Sequence, residues 1–165
     1  MTKKDINIRK ATIEDWDSLW QIISLVIKEG DTYVFAPTSS KETMKNYWLA
    51  ESNHVFVAET EGAICGTYLL KDNQPGLGSH IANGSYMVHP KFQGRGIGKV
   101  MGKHSLETAK HLNYKAMQFN IVVKGNQPAI HLWERLGFHI IGEIPEAFQH
   151  TQLGLINAYI MHRKL

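Results

Sequence analysis

Three glycines alternate with other residues in the segment Gln93–Lys99, which reads Gln-Gly-Arg-Gly-Ile-Gly-Lys and is called the Gly loop below. Glycine lets backbone N–H groups approach a ligand closely and adopts positive φ angles at little cost. A helix that begins inside this segment would add its unpaired N–H groups and partial positive charge. Because Arg95 and Lys99 add formal charge, the Gly loop predicts a binding site for phosphate groups.

The elements around the Gly loop support this interpretation. Residues 81–88 read as a strand that a His-Pro pair ends, and a helical pattern follows to about residue 112. The segment is not a Walker loop, because no Gly-Lys-Ser/Thr closes the required frame. It does not fit a dinucleotide fold either, because Asn113 and Lys115 stand where an acidic residue is expected. The alternative is a Gly-rich turn that only connects two elements.

The remaining pattern predicts a mixed α/β (α+β) fold in a single domain over residues 1–165. Apolar residues at helical spacing predict helices over about 12–28, 40–50, 96–112 and 128–136. Short apolar runs predict strands at 6–9, 54–59, 63–70, 81–88, 116–123, 138–143 and 155–162. Turn-forming residues predict loops at 30–39 and 71–80.

The composition indicates an ordinary globular protein. Lys and Arg number 18 against 15 Asp and Glu, and this net charge of +3 suits a small polyanion without requiring nucleic acid. The pairs Lys3-Lys4 and Arg163-Lys164 are too short for a nucleic-acid arm. Neither a signal peptide nor a membrane span is evident, so we expect a cytoplasmic location and no membrane partner.

The cysteine and the histidines offer no second chemistry. Cys65 is the single cysteine, which excludes an internal disulfide, and we expect it to be a small buried apolar residue. His104 and His111 are seven residues apart, too far to converge on one ion, and the other histidines show no ligand spacing. We therefore expect no metal site.

Two motifs resemble those of the GCN5-related N-acetyltransferase (GNAT) family. The family signature Gln/Arg-x-x-Gly-x-Gly/Ala is present as Gln93-x-x-Gly96-x-Gly98, after a strand that ends with Val88 and a His-Pro pair. The family segment Asn-x-x-Ala-x-x-Leu-Tyr-x-x-x-Gly-Phe is present over residues 126–138. The resemblance covers nearly the whole chain. It implies the GNAT fold, a mostly antiparallel twisted sheet of about seven strands, splayed between strands 4 and 5 and flanked by about four helices.

The resemblance also implies a site for acetyl-CoA. Backbone groups of Met87 and Val88 would pair with the pantetheine arm, and an N–H near Val88 would polarise the thioester carbonyl. N–H groups of the Gly loop would hold the pyrophosphate, while Asn126 would hydrogen-bond the pantetheine. The predicted cofactor residues are Met87, Val88, Gln93, Gly94, Arg95, Gly96, Ile97, Gly98, Lys99, Asn126, Ala129 and Trp133.

Trp133 is a departure from the family pattern. The family often has a Tyr at this position, whose hydroxyl can protonate the leaving thiolate, whereas an indole N–H is not a practical acid. Either Trp133 only packs against the thioester end, or the thiolate leaves with help from solvent. An acid is dispensable here, because a thiol with a pKa of about 8.5 already gives a good leaving group.

The acceptor amine must attack in its neutral form, so it must lose a proton. Many relatives place a Glu on the strand before the Gly loop, but residues 81–88 contain no carboxylate. Asn83 stands there, and Asn120 lies on the next core strand. Each could bond a local backbone group, but together they predict a pair that binds the acceptor and that, with Val88, makes up the candidate catalytic residues. A water chain would remove the proton, or the amine would arrive neutral.

The acceptor pocket is expected to include the loop after the first helix. Tyr33 and Phe35 are predicted to bind the acceptor, with Tyr47 and Trp48 as further candidates. The Asn pair and the loop 30–33 are similar to those of azetidine-2-carboxylate and proline-analogue acetyltransferases, which implies a small amino acid or cyclic imino acid. Phosphinothricin-type enzymes are an alternative of the same chemistry.

Two other functions stay open at this point. One is acetylation of peptide N-termini or lysines, for which an open and acidic acceptor groove is expected. The other is a non-catalytic CoA-binding regulatory domain, which the replacement at Trp133 makes conceivable. Dimers are common in the resembled family, so a homodimer is a further implication that no residue pattern tests.

Overall fold

The alternating apolar segments form one sheet of seven strands in the computed structural model, which describes residues 5–165. The strands are β1 (Asn7–Lys10), β2 (His54–Thr60), β3 (Ala63–Asp72), β4 (Ile81–Val88), β5 (Ala116–Val123), β6 (His139–His150) and β7 (Gly154–Lys164). Their order is β1-β2-β3-β4-β5-β7-β6, and among these seven described strands only the β4–β5 pair is parallel. This confirms the predicted mixed sheet. The Lys3-Lys4 pair lies outside the described residues.

Helices cover both faces of the sheet. They are α1 (Trp16–Glu29), α2 (Lys41–Trp48), α3 (Ile97–His111) and α4 (Gln127–Arg135), which confirms the predicted set. Local signals set their ends: the Ser40 hydroxyl accepts a hydrogen bond from the Thr43 N–H at 3.1 Å, and Gly30 ends α1 with a left-handed φ of 63°. None of the helices within residues 5–165 is long and apolar enough to cross a bilayer.

Two cores, one on each face of the sheet, fix the direction of each strand residue. Leu69 and Met87 pack under α1 and α2, whereas Tyr68 and Tyr86 pack on the side of α3 and α4. Because side chains two residues apart in a strand share a face, the odd-numbered residues of β4, and those of β3 from Thr67 onward, project toward α1 and α2. This parity decides which polar side chains can meet.

The sheet opens between β4 and β5. Only two register pairs join these strands, Ile81 with Ala116 and Ala82 with Met117. Beyond them the side-chain amide of Asn83 donates a hydrogen bond to the backbone carbonyl of Gln118 at 3.0 Å. The strands then separate and leave a cleft, as the splay between strands 4 and 5 predicted.

The last two strands are longer than predicted. β6 continues to His150 instead of ending near residue 143, through register irregularities on either side of Gly142–Ile144. Pro145 and the positive φ of Glu146 interrupt the alternation there, which hides the continuation in the sequence. At the tip of this hairpin, the Thr151 hydroxyl donates to the carbonyl of Glu29 at 3.0 Å.

Candidate active site

The open edge of β4 presents the backbone groups of alternate residues to the cleft. The carbonyl of Ile81 and the N–H of His89, at the two ends of this strand, both bond to the β3 side at 2.8 Å. Because alternate residues of a strand bond to opposite sides, the backbone groups of Gly84, Tyr86 and Val88 point toward the cleft. Those of Val88 can pair with an extended ligand in the way that a neighbouring strand would.

The same register narrows the predicted role of Met87. Its backbone groups face β3, and its side chain is 2% exposed and packs in the core under α1 and α2. Of Met87 and Val88, which were both predicted to pair with a pantetheine arm, only Val88 has backbone groups that face the cleft. Met87 contributes only to the wall of the cleft.

Tyr33 occupies the middle of this open edge. Its hydroxyl accepts a hydrogen bond from the N–H of Tyr86 at 2.8 Å and donates one to the carbonyl of the same residue. Burial raises the pKa of Tyr33, so the hydroxyl stays protonated. The ring lines the cleft as predicted for an acceptor-pocket residue, but the hydroxyl is already bonded to the protein.

The cleft encloses a cavity of about 470 Å³. The predicted residues that line it are Tyr33, Phe35, Asn83, Met87, Val88, Gln93, Asn120, Asn126, Ala129 and Trp133. Tyr47 lines it as well, whereas Trp48 is fully buried in the core and donates to the Thr67 hydroxyl at 3.2 Å. The expectation that Trp48 lines the acceptor pocket was wrong, because its helix turns it inward.

The rest of the Gly loop lies outside the cavity wall, next to Gln93. Within residues 5–165, no group accepts a hydrogen bond from the backbone N–H groups of Gly94 through Lys99. Gly94 and Gly96 have φ angles of 75° and 80°, and a Cβ atom on either would meet nothing within 4 Å. The loop therefore offers a row of accessible donors at the start of a 15-residue helix, which suits an anion.

The charged and apolar members of the Gly loop differ in their surroundings. The Arg95 guanidinium lies 5.0 Å from the centre of the Phe92 ring and 4.0 Å from the Glu61 carboxylate. Lys99 is exposed, whereas the Ile97 side chain is 2% exposed and packs in the core. Arg95 and Lys99 can thus meet an anion, while the contribution of Ile97 is limited to its backbone.

Asn126 and Trp133 form the opposite wall. The Asn126 side-chain oxygen accepts a hydrogen bond from the Ala129 N–H at 3.3 Å and caps α4, so only its amide N–H groups lack a partner within residues 5–165. Trp133 is 8% exposed, and its ring lies 4.6 Å from those of Tyr86 and Phe119. These contacts give Trp133 a packing role at the cavity wall.

The two predicted asparagines reach the cavity by different routes. The side-chain amide of Asn83 donates to a backbone carbonyl, which is the structural role that the sequence left open for it. The side-chain oxygen of Asn83 has no partner within residues 5–165. Asn120 was expected to need a bond because an apolar strand would bury it, but it is exposed. The register of β5 shifts between Phe119 and Val122, and this bulge places Asn120 beside the cleft.

A chain of amides crosses the open end of the cavity. The Gln118 amide donates to the Asn120 oxygen at 3.1 Å, and the Asn120 amide donates to the Asn73 oxygen at 2.7 Å. The sequence reasoning missed Asn73 and Lys71, which also line the cavity, because both fall in a segment read as a loop. Lys71 and Asn73 lie two and four residues after Leu69. This spacing was the available signal in the sequence, because it continues the face of β3 on which Leu69 lies.

The cavity wall carries little formal charge. Of the described residues, those that line it include no Asp or Glu, and Lys71 is the one formally charged side chain among them. Its ammonium group donates to the Tyr47 hydroxyl at 3.0 Å. Burial raises the pKa of Tyr86 as well, and the hydroxyl of this residue is bonded to Ser105 on the core side. No lining carboxylate is therefore placed to act as a base.

Cys65 and His104, for which no chemical role was predicted, do not line the cavity. Cys65 is buried as predicted, its thiol donates to the Ala58 carbonyl at 3.3 Å, and burial raises its pKa. His104 lies 2.6 Å from the Tyr68 hydroxyl on the α3 side of the sheet, and desolvation lowers its pKa. No group of His, Cys, Asp and Glu within residues 5–165 has the arrangement of a metal site.

Comparisons with known proteins give the class to which this fold and site belong. The family model described as Acetyltransferase (GNAT) family matches residues 15–138. The chain belongs to this family. A structure of a GCN5-related N-acetyltransferase from Kribbella flavida is 33% identical, covers 97% of this chain and 98% of its own, and superposes with a TM-score of 0.93.

Three curated relatives are similar to parts or most of the chain. N-acetyltransferase aca1 of Schizosaccharomyces pombe is 36% identical over 59% of this chain. The matched region spans about half (47%) of the length of aca1. An N-alpha-acetyltransferase of Sulfurisphaera tokodaii is 28% identical over 96% of this chain and 92% of its own length. L-amino acid N-acyltransferase MnaT of Escherichia coli is 29% identical over 56% of this chain and 54% of its own.

Proposed function

We propose that this chain is an enzyme that transfers an acetyl group from acetyl-CoA to the amine of a small amino acid or cyclic imino acid. The observation that carries the proposal is the lining of the cavity. Among residues 5–165, a row of unpaired backbone donors lies beyond one end, and amides and a single ammonium group, without any carboxylate, lie at the other. Family membership supplies the class of reaction.

The donor end fits acetyl-CoA in two respects. The open space at Gly94 and Gly96 allows a pyrophosphate to approach the unpaired N–H groups of the Gly loop. The backbone of Val88 faces the cleft, where it can pair with a pantetheine amide and direct an N–H at a thioester carbonyl. When bound, acetyl-CoA supplies the acetyl group that the acceptor amine takes.

The acceptor end fits a small polar amine. Asn83 keeps a side-chain oxygen without a partner in the described residues, beside the point where the strands part, and that oxygen can accept a hydrogen bond from a donor group of the acceptor. Asn120 lies across the cleft on β5, where it can position the rest of the acceptor. Phe35 and the ring of Tyr33 provide apolar contact on the side of the α1–α2 loop.

The amine proton leaves without a carboxylate base in this proposal. No Asp or Glu of residues 5–165 lines the cavity. Burial raises the pKa of Tyr33, and its hydroxyl is already bonded to the backbone of Tyr86. The amine therefore reacts from the fraction that is already neutral, or passes its proton to water in the cleft.

A second candidate, acetylation of peptide N-termini, is favoured by the Sulfurisphaera tokodaii relative, whose name describes that activity. A peptide acceptor predicts an open, acidic groove, and the absence of lining Asp and Glu within the described residues favours a small acceptor instead. The MnaT relative, by its name an L-amino acid N-acyltransferase, favours the small acceptor as well.

The proposal is tested by measuring release of the CoA thiol from acetyl-CoA with four groups of acceptors: amino acids, cyclic imino acids, polyamines and peptides. Thiol release with amino or imino acids, at higher kcat/KM than with peptides, is the expected result. Higher kcat/KM with peptides would favour the second candidate. Tight CoA binding without thiol release for any acceptor would identify a non-catalytic CoA-binding domain.

A further inference from the structure

Lys71 places a positive charge at the acceptor end of the cavity. It lies directly opposite Asn83 in the antiparallel register of β3 and β4. Both residues project toward α1 and α2, because they continue the faces that Leu69 and Met87 define. The side chains of Lys71 and Asn83 therefore leave the backbone at neighbouring positions on the same side of the sheet.

The ammonium group of Lys71 is held in place without a counter-charge. It donates to the Tyr47 hydroxyl at 3.0 Å and lies 4.7 Å from the centre of that ring. Tyr47 is itself fixed by the Phe35 ring, whose centre is 4.9 Å away. An ammonium group has three N–H donors, so two remain, and no carboxylate within residues 5–165 forms an ion pair with Lys71.

Asn73 adds neutral donors on the same face. It follows Lys71 by two residues and lines the same cavity. Its side-chain oxygen is taken by the amide of Asn120 at 2.7 Å, which leaves the two N–H donors of Asn73 without a partner in the described part of the chain. Two N–H donors of Lys71 and two of Asn73 thus line one cavity without an acceptor in the described part of the chain.

We propose that Lys71 and Asn73 bind a carboxylate group of the acceptor. A carboxylate accepts several hydrogen bonds and neutralises a partly buried ammonium group, which is otherwise costly to leave unpaired. This inference rests on the proposed function and narrows it, because the enzyme would select amines that carry an anionic group. Polyamines, which bring further positive charge, would be rejected.

The distance between the two ends of the cavity bears on the acceptor. Val88 follows Asn83 by five residues along β4, about 16 Å at the rise of a strand. The Lys71 side chain spans part of that distance. Acceptors are therefore tested as a series in which one to five carbons separate the amine from the carboxylate.

The experiment compares each amino acid of this series with its own carboxamide, so that the amine is kept and the negative charge is removed. We expect the best acid to exceed its amide in kcat/KM by about 10-fold or more. In Lys71→Met, kcat/KM for the acid should fall about 10- to 100-fold, while the amide and the KM for acetyl-CoA change less than about threefold. Lys71→Arg should keep much of the preference.

The control is Lys28→Met, which removes an exposed lysine at the end of α1 and should leave the ratio of acid to amide unchanged. Equal kcat/KM for acids and amides in the unmodified enzyme would overturn the carboxylate site while leaving acetyl transfer to amino acids intact. The carboxylate site would also be overturned if folded Lys71→Met kept the full preference for acids over amides. Absence of acetyl transfer to every amino acid and amide would instead contradict the proposed function.

Discussion

The side-chain amide of Asn83 donates a hydrogen bond to the backbone carbonyl of Gln118 at 3.0 Å, at the point where the pairing of the parallel strands β4 and β5 stops. The bond satisfies a carbonyl that loses its partner strand there. It also orients the free Asn83 oxygen beside the cavity. One residue thus serves both the opening of the sheet and the proposed acceptor site.

Asn83 and Asn120 should therefore differ when each is changed to Ala. Both variants should raise the acceptor KM, by about 10-fold, because each removes a polar group from the acceptor end. Asn83→Ala should also lower the free energy of unfolding by about 1 kcal/mol, or roughly 2–4 °C in Tm, since the Gln118 carbonyl is left unpaired. Asn120→Ala should change stability by less than about 0.5 kcal/mol, because Asn120 is exposed.

Steady-state kinetics for both substrates and thermal unfolding check this pair of variants. The KM for acetyl-CoA is the internal control and should not change. If acceptor KM is unaffected in both variants, the asparagines do not bind the acceptor and only the structural role of Asn83 remains.

Gly96→Ala should weaken binding of acetyl-CoA. The φ of 80° costs about 1 kcal/mol or more for an L-residue, and relaxation of that strain would displace the unpaired N–H groups at the start of α3. Gly154→Ala is a matched control, because Gly154 has a φ of 72°, its Cβ position is equally open, and it lies in the β6–β7 hairpin.

Calorimetric titration with CoA should show about 10-fold weaker binding for Gly96→Ala and no change for Gly154→Ala, with similar losses of Tm in both. Equal CoA affinity in the two variants would show that the Gly loop does not bind CoA.

The pH dependence of the reaction should follow the acceptor. Because no carboxylate of the described residues lines the cavity, kcat/KM for the acceptor should fall tenfold for each pH unit below the pKa of its own amine. Burial raises the pKa of Tyr33, so this hydroxyl adds no break in the acidic or neutral range. Two acceptors with different amine pKa values should give profiles displaced by that difference.

Glu29→Gln and Asp31→Asn test the same point, since Glu29 ends α1 and Asp31 lies in the loop between α1 and α2 that carries Tyr33 and Phe35. Neither change should alter the profile. A break near pH 6–7 with both acceptors, lost in one of these variants, would show that an enzyme base exists.

Trp133→Phe separates packing from proton donation. Trp133 contacts Tyr86 and Phe119 but carries no practical acid, so kcat should fall less than about threefold while stability drops by about 1–3 kcal/mol. Phe138→Leu is the control, because Phe138 packs against Trp133 without lining the cavity. A loss of 100-fold or more in kcat, specific to the folded Trp133 variant, is the size expected for a lost acid and would contradict the packing role.

Much of the fold was predictable because it depends on local signals. Helical spacing, the cap at Ser40 and the glycines at residues 30 and 137 set the helix ends near their predicted positions. The Gly loop was recognisable for the same reason, since its residues act together within one short segment. The Asn pair followed from two polar residues in otherwise apolar strands.

The remaining features depend on contacts between distant segments. The bulge in β5 that brings Asn120 to the cleft leaves no mark in the residues around it. Lys71 reads as the start of a loop until the register with Asn83 continues β3 beyond Leu70. The two bonds of the Tyr33 hydroxyl join residues 53 positions apart, and no periodicity connects them.

An unpaired strand edge is a template on which any extended polypeptide can add itself as a further strand. The Tyr33 hydroxyl takes both backbone groups of Tyr86, midway between Gly84 and Val88, and so interrupts the ladder that such a strand would need. An arm that reaches only Val88 can still pair there. The Tyr33 hydroxyl therefore leaves no continuous edge along β4 on which a further strand could pair, while Val88 stays accessible to a small molecule.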